Sequence, residues 1–354
     1  MNEAEKQTTE FMTKIEGDNS KGYSLTILLK EDNSLIDISE LVGDITHTTS
    51  LLDSPERLEF FIQKDPNKIL NTVRNGDKVF FKKNGIGIFC GYVFTVGFDA
   101  NDVFKITAYS QTRYLKNETN LIVKNKTVSQ IFEQICIENE IKNYAIKTPI
   151  DFVQPSKTFM GKTLYSILRD CLINAQIDAK KKGNTMIYMI RDNYGVLELT
   201  SIDKFKTNVE IGLESLLCSF QFETSIDKGT YNSFKLTKKA KEETLYTTQI
   251  QDSSSIDKWG LLQKVVEVDE NMNEAQVKEK AENLMRLYCR ETKSLTLSAI
   301  GLLGFNAGVG FTLNIPQLGD KIDMYIVEAS HRYSQDFHTM DLTVKANDLE
   351  IYFK

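Results

Sequence analysis

The chain has 354 residues, of which 41% are hydrophobic, and this composition is typical of a folded protein. Because one hydrophobic core rarely grows beyond roughly 250–300 residues, the length predicts two or three domains. There are 43 basic and 49 acidic residues, which gives a net charge of −6. A chain with an acidic balance lacks the positive surface that tight binding to a nucleic-acid backbone requires, so sequence-specific nucleic-acid binding is not expected.

The N-terminal residues and the cysteines indicate where the protein is made. Residues 1–22 are polar, without the positive start and apolar stretch of a secretion signal, and are expected to form a flexible or partner-bound arm. No window approaches the roughly 20 apolar residues that span a membrane. The five cysteines are far apart and odd in number, which favours reduced core residues in a protein made in a cytoplasm. They are Cys90, Cys136, Cys171, Cys218 and Cys289.

A β pattern begins at Tyr23. Alternating apolar residues at Leu58, Phe60 and Ile62 predict a strand with one buried face. The dipeptide Asn84-Gly85 lies between two β-rich runs and predicts a tight hairpin turn. Residues 23–115 are therefore expected to form a first tube-type antiparallel β-barrel.

The period of the apolar residues changes from two to that of a helix at Thr127. Thr127 with Gln130 forms a capping box, and a second helix is expected over residues 163–182. The runs 186–191 and 196–200 read as a hairpin. Residues 116–210 are therefore expected to be a separate α+β domain.

Strand patterns return in the last third of the chain. Met340, Leu342 and Val344 alternate with polar residues, as in a half-buried strand. Residues 211–237 and 295–354 are expected to form a second tube-type β-barrel. Residues 238–294 are expected to be an insertion, whose helix from 273 to about 288 packs on the α+β domain. The expected fold class is mainly β with α+β: two tube-type antiparallel β-barrels and an intervening α+β region.

Two segments follow the same order of turn, strand, link and strand. One begins at Gly76-Asp77-Lys78-Val79 and the other at Gly319-Asp320-Lys321-Ile322. The identity covers only a few residues, so an internal duplication and two unrelated antiparallel meanders both remain open. A duplication would decide the architecture.

The candidate metal and acid–base residues favour structural roles. His331 and His338 flank a hairpin link and His47 is distant in sequence, but no usual third metal ligand is nearby, which favours satisfied structural histidines. Carboxylate pairs occur at Asp320 with Asp323 and at Glu242 with Glu243. Charges at this density usually form a solvated surface rather than a glycosidase pair.

Three further patterns are weak as sites. The glycines at 301, 304, 308 and 310 lead into a strand that ends at Pro316, so no helix N-terminus is available for a phosphate. Cys171 and Cys289 lie on apolar helix faces without a partnering histidine, which favours packing. Trp259 is either a contact residue or a buried anchor. No catalytic, cofactor or metal residue is therefore predicted, and no enzyme activity.

The order and spacing of several segments resemble the baseplate hub proteins of contractile phage tails and phage-tail-like particles, in particular those of PBSX-type prophages. The likeness covers most of the chain from about residue 23. The segments that carry it are Gly76-Asp77-Lys78-Val79 with Gly91, residues 106–109, 127–137, 256–262, 268–269, 273–284, 327–331 and 338–342.

This resemblance implies a homotrimer in which two tube-type barrels per subunit form a ring of pseudo-six-fold symmetry. Such a ring would join a six-fold tail tube to a three-fold central spike. The implied partners also include other baseplate proteins, with the tape measure protein as a further candidate. It implies assembly in the bacterial cytoplasm and release on lysis, in a virion or a DNA-free tailocin. Two alternatives remain open: a tail-associated cell-wall (peptidoglycan) hydrolase and a glycan-binding tail accessory protein.

Overall fold

The computed structural model describes residues 22–52, 54–63, 72–100, 103–183, 186–227, 229–239, 244–268, 272–319, 321–334 and 337–346. The described residues divide into two compact units, of which the second comprises Phe220–Thr296 and the first comprises the other described residues. The expected N-terminal arm, apart from Gly22, lies outside the described residues, as do Asp320, Glu242 and Glu243.

A first β module occupies the position of the first expected barrel. Its strands pair side by side in the order β3-β4-β7-β6-β5-β1, with β2 beyond β1. Asn84 and Gly85 have φ angles of 51° and 75°, so the predicted hairpin turn joins β5 and β6. The alternating residues of β1 and β4 face one core. The strands are β1 (Tyr23–Leu28), β2 (Leu35–Asp37), β3 (Val42–Ser50), β4 (Arg57–Gln63), β5 (Lys78–Lys83), β6 (Ile86–Phe98) and β7 (Val103–Tyr109).

The α+β region follows a 3-10 helix at Gln111–Lys116. Its first helix begins at Thr127 with the predicted capping box, in which Gln130 and Thr127 satisfy each other's backbone N–H groups. Two helices and two small sheets enclose a core of their own. The elements are β8 (Glu118–Val123), α1 (Val128–Glu138), β9 (Tyr144–Ile146), β10 (Lys157–Thr163), α2 (Leu164–Lys181), β11 (Tyr188–Asp192) and β12 (Leu197–Ser201).

Strands β13 (Lys206–Gly212) and β14 (Leu217–Ser225) come next, and the second unit begins within β14 at Phe220. It contains a separate three-stranded sheet of order β16-β15-β17. This differs from the expectation that residues up to 237 join the second barrel. Its elements are β15 (Ser233–Lys239), β16 (Thr244–Gln251), α3 (Ser253–Trp259), β17 (Gln263–Val268) and α4 (Glu274–Tyr288).

The apolar face of α4 explains the difference. Val277 and Ala281 pack against Phe234 and Leu236 of β15, so the helix and the strand share one small core inside the second unit. The sequence expectation placed the helix on the α+β domain. Periodicity identifies the buried face of a helix but not the partner that covers it.

A second β module ends the chain. Its order is β14-β18-β21-β20-β19-β13, and both modules belong to one 13-stranded sheet. Met340, Leu342 and Val344 are each 1% exposed, so the expected facing of β21 is confirmed. The mainly β class with an α+β region is also confirmed. The remaining strands are β18 (Thr292–Ile300), β19 (Gly310–Asn314), β20 (Ile322–Tyr333) and β21 (His338–Ala346).

Candidate functional site

The two β modules repeat one another strand for strand. The orders β3-β4-β7-β6-β5-β1 and β14-β18-β21-β20-β19-β13 are the same when β3 is matched with β14 and each following strand with its counterpart. The matched strands also follow the same order along the chain. The second unit is inserted between β14 and β18, where the first module has the short link between β3 and β4. One pairing differs, since β1 runs antiparallel to β5 whereas β13 runs parallel to β19.

The repeat extends to single hydrogen bonds. The register of the β6–β7 hairpin shifts between Val93 and Thr95, and that of the β20–β21 hairpin shifts between Ile326 and Glu328. The N–H of Gly76 donates to the carbonyl of Val93 at 2.8 Å, and the N–H of Gly308 donates to the carbonyl of Ile326 at 2.8 Å. A bulge is an irregularity of one strand, so the same bulge at matched positions favours duplication over chance.

The glycine that matches Gly76 is Gly308 and not Gly319. Gly76 and Gly308 have φ angles of 97° and 93°, and each precedes the strand that leads into the bulged hairpin. Gly319 lies in the link between β19 and β20, where the first module has the Asn84-Gly85 turn. The sequence expectation that aligned Gly319 with Gly76 was wrong. A short similar sequence at two turns does not show which strands pair beside each turn.

The two modules are joined at β3 and β20. Residues of β20 from Glu328 to Tyr333 pair antiparallel with residues of β3 from Ser50 to Ile45, and His331 lies opposite His47. Beyond its bulge, β20 therefore pairs with β21 on one side and with β3 of the other module on its other side. This pairing of β3 with β20 is called the module junction below.

The module junction brings together all three histidines of the chain. The rings of His47 and His331 stack with their centroids 6.3 Å apart, and Nδ1 of His331 lies 2.9 Å from Nε2 of His338. The His338 ring stacks on Tyr333 at 4.2 Å. Since Nε2 of His331 faces the carbonyl oxygen of Phe305 at 2.9 Å, this nitrogen donates its proton there and Nδ1 accepts from His338.

Glu56 completes the buried cluster from the β3–β4 side. Its Oε1 lies 2.7 Å from Nε2 of His47. Burial raises the pKa of Glu56 to about 8, and burial lowers the pKa of His47 to about 4. At neutral pH both groups are therefore uncharged, and the carboxyl O–H donates to the imidazole nitrogen. Nδ1 of His47 is buried and has no hydrogen-bond partner among the residues that the structure describes.

Burial, together with neighbouring histidines, also lowers the pKa of His331 and of His338 to about 4. Both ring nitrogens of His331 are engaged in hydrogen bonds. Within the described ranges, no group of three or more His, Cys, Asp or Glu residues is placed so that it could hold a metal ion. The geometry of the cluster is that of neutral rings packed at a strand junction.

A cavity of about 200 Å³ adjoins the module junction. It is lined from both β modules and from the α+β region, and Glu56 and Asp192 are its acidic residues. Burial, together with the nearby Glu56, raises the pKa of Asp192 to about 8. Oδ1 of Asp192 accepts from the N–H of Gly195 at 2.6 Å, while Oδ2 is buried and finds no partner in the described part of the chain. No sequence signal pairs residues 56 and 192, because each is a single acidic residue in an unrelated segment.

The other sequence candidates have different surroundings. Burial raises the pKa of the Cys171 thiol to about 12, which keeps it protonated in the α2 core. Sγ of Cys289 lies 3.2 Å from Oγ of Ser255. Trp259 ends α3 half-buried, with the Lys258 ammonium over its ring. Asp323 pairs with Lys206 at 2.6 Å.

Gly301 lies against the junction, since a Cβ on it would meet the His338 ring at 2.3 Å. No helix in the described part of the chain is both long and apolar enough to cross a membrane.

The fold defined by these two modules is that of phage tail proteins. The chain matches the 43 kDa tail protein of prophage MuSo2 from Shewanella oneidensis with a TM-score of 0.65, over 92% of this chain and 99% of that one, at 15% identity. The sequence places it more narrowly: residues 45–345 match the YqbQ-like family model, and the chain belongs to that family.

Two relatives from Bacillus subtilis agree with this placement. The protein YqbQ is 28% identical over 279 residues, which cover 77% of this chain and 82% of that protein. The phage-like element PBSX protein XkdQ is 24% identical over 288 residues, which cover 80% and 85%. The likeness to PBSX-type prophage proteins that the sequence motifs indicated is confirmed.

Proposed function

We propose that this chain is the structural hub subunit of a phage-tail baseplate, and that three copies form a ring of six similar β modules. The observation that carries the proposal is the duplicated module, with its matched strand order and matched bulges. A chain with two like modules presents six like positions in a trimer. Such a trimer fits a six-fold tail tube on one face and a three-fold central spike on the other.

The symmetry of the contacts supports a ring. The module junction joins β20 of the second module to β3 of the first. These two strands are not counterparts in the repeat, so the two modules contact each other through different strands. Contacts of this head-to-tail kind generate closed rings when the rotation between modules closes. The same geometry repeated between chains would give a closed assembly whose partners include tube, spike and neighbouring baseplate proteins.

A structural role is favoured over a cell-wall hydrolase. The buried carboxyls of Glu56 and Asp192 line one cavity, and burial raises the pKa of each to about 8, so both are protonated at neutral pH. A glycosidase needs one carboxylate ionised while the other is protonated. We therefore expect the purified chain to leave no cleared zone in a peptidoglycan gel. A cleared zone that Glu56→Gln abolishes would support the hydrolase instead.

The mass of the assembled protein tests the hub proposal. Native mass spectrometry of the full chain should show a species of about three times the 40.4 kDa of one chain. Imaging of intact particles should place it at the baseplate centre between tube and spike. A stable monomer that never enters the particle would refute the proposal, and so would a closed ring of another copy number.

A further inference from the structure

We propose that the free edge of β6 in one copy, residues 94–98, pairs antiparallel with residues 219–224 of β14 in a second copy. This contact would repeat between chains the module junction that the chain makes within itself. The inference rests on the proposed ring, and it adds the residues that close the ring.

The module junction is the template. Beyond its bulge, β20 has β21 on one side and β3 on the other, and Glu328 lies opposite Ser50. In the repeat, β6 matches β20 and β14 matches β3. If the first module of a neighbouring copy meets the second module in the same way, its β6 takes the place of β20 and β14 takes the place of β3.

The edge of β6 lacks the partner that its counterpart has. Beyond the bulge at Val93, β6 pairs with β7 on one side, and no described strand pairs with residues 94–98 on the other. Phe98 matches His331, since Phe98 lies opposite Phe104 and His331 lies opposite Met340 at equivalent hairpin positions. His331 is 1% exposed, whereas Phe98 is 75% exposed. A large apolar side chain is exposed where the other module buries the matching residue under a strand.

The edge of β14 is also open. β14 ends the sheet order, with β18 on its only paired side among the described strands. The N–H of Ile300 donates to the carbonyl of Leu216, and the N–H of Gly301 donates to the carbonyl of His338. These two bonds set the register across β14, β18 and β21, because antiparallel residues that share such a bond lie directly opposite each other.

By this register, Thr224 takes the position of Ser50 and Gln221 takes that of His47. Phe222 on this edge is 44% exposed.

Exposed strand edges favour this kind of pairing. Each edge presents unpaired N–H and C=O groups, and an added strand satisfies them while its side chains bury apolar surface. The β6 and β14 edges come from different modules, so each copy offers one of each. The contact therefore propagates head to tail, and it closes a ring when the rotation between neighbouring copies closes.

Cysteine cross-linking tests the pairing and its register together. Because Glu328 lies opposite Ser50, the matched positions between copies are Thr95 and Thr224, both exposed in the chain. Opposed Cα atoms in antiparallel strands lie about 4.5–5.5 Å apart, a span that a disulfide bridges. The background should carry Cys218→Ser and Cys289→Ser, because these two native thiols are not fully buried.

Under mild oxidation, the full chain with Thr95→Cys and Thr224→Cys should run as linked dimers and trimers on a non-reducing gel. The control pairs Thr95→Cys with Gln221→Cys, three residues or roughly 10 Å out of register, and should remain mostly unlinked. Equal linking in both variants would overturn the proposed register.

A second variant tests the edge without a disulfide. Phe98→Asp should reduce the ring to monomers while thermal unfolding of the monomer stays unchanged, because the side chain is exposed within one chain. Ile122→Asp is the matched control, since Ile122 is 60% exposed on β8 in the α+β region. Rings that persist in Phe98→Asp, or that both variants disrupt alike, would overturn the proposal.

The two proposals fail separately. A wild-type chain that forms no ring in native mass spectrometry refutes the hub function. A wild-type ring whose matched cysteines do not link refutes only the β6–β14 contact.

Discussion

Oε1 of Glu56 and Nε2 of His47 lie 2.7 Å apart, and both side chains are buried beside the strand pairing that joins the two β modules. The carboxyl and the imidazole are uncharged at neutral pH because burial disfavours the charged form of each. The link between the modules therefore depends on two neutral polar groups that satisfy each other. This arrangement makes stability depend on pH in opposite directions for the two groups.

Replacement of Glu56 by Gln should reduce the loss of stability at alkaline pH. The pKa of Glu56 in the folded chain is raised from 4.5 to about 8, so its contribution is full below pH 4.5 and is lost as pH rises through 8. Gln stays neutral throughout. The free energy of unfolding should be measured in urea between pH 6 and 9 for wild type and for Glu56→Gln. The wild-type value minus the variant value should fall by up to about 1.4 kcal/mol per pH unit. A difference that stays constant over this range would contradict a protonated Glu56.

Acid should weaken the module junction through its histidines. The pKa values of His47, His331 and His338 are lowered from 6.5 to about 4, so their contribution is present above pH 6.5 and is lost as pH falls through 4. His338→Gln should lessen the fall in unfolding free energy between pH 6.5 and 4.5. Proton NMR titration of the ring Cε1 signals provides the direct check. Midpoints near 6.5 for all three rings would contradict the burial that the structure shows.

Leu342→Asp should prevent the second β module from folding. Leu342 is 1% exposed on β21, and an unpaired carboxylate at that position costs several kcal/mol. Thr339→Asp is the matched control, because Thr339 is exposed on the same strand. Circular dichroism and gel filtration should show an aggregated or unfolded Leu342→Asp chain beside a folded Thr339→Asp chain. A soluble, assembled Leu342→Asp chain would show that the facing of β21 is wrong.

Replacement by alanine should destabilise the chain by different amounts at the two matched glycines, Gly76 and Gly308, because their surroundings differ. Gly76→Ala should cost about 1–3 kcal/mol through its left-handed φ of 97°, because the space around its Cβ is open. Gly308→Ala should cost more, since its Cβ would lie 2.4 Å from Sδ of Met189. Chemical unfolding measures both.

Gly43→Ala serves as the control, because a Cβ there meets nothing within 4 Å. Adding Met189→Ala should recover part of the loss in Gly308→Ala relative to Met189→Ala alone. No recovery would mean that the Met189 contact is not the cause.

Local patterns predicted local structure well. The capping box of Thr127 with Gln130 begins α1, the Asn84-Gly85 turn joins β5 to β6, and the alternation around Leu342 faces the core. Each of these features is decided within a few residues, by a side chain that satisfies a backbone group or by the period of one strand. The likeness to PBSX-type proteins was also readable, because it depends on the order of such segments.

Long-range pairing was not readable in the same way. β15 joins the second unit instead of the second module. Gly308 is the counterpart of Gly76, although the sequence similarity indicated Gly319. The pairs His47 with His331 and Glu56 with Asp192 join segments more than a hundred residues apart. A strand presents the same N–H and C=O groups to any neighbour, so its sequence alone does not predict which strand pairs with it.

The sequence by itself therefore determined the β-rich class, the helix and hairpin boundaries, the acidic balance and the family likeness, because these follow from composition and short-range periodicity. Only the tertiary structure decided that the repeat is matched bulge for bulge, that the histidines meet at β3 and β20, and that no described strand pairs with the outer edges of β6 and β14. The physical reason is that these features arise from which backbone edges meet, and backbone edges are chemically alike along the whole chain.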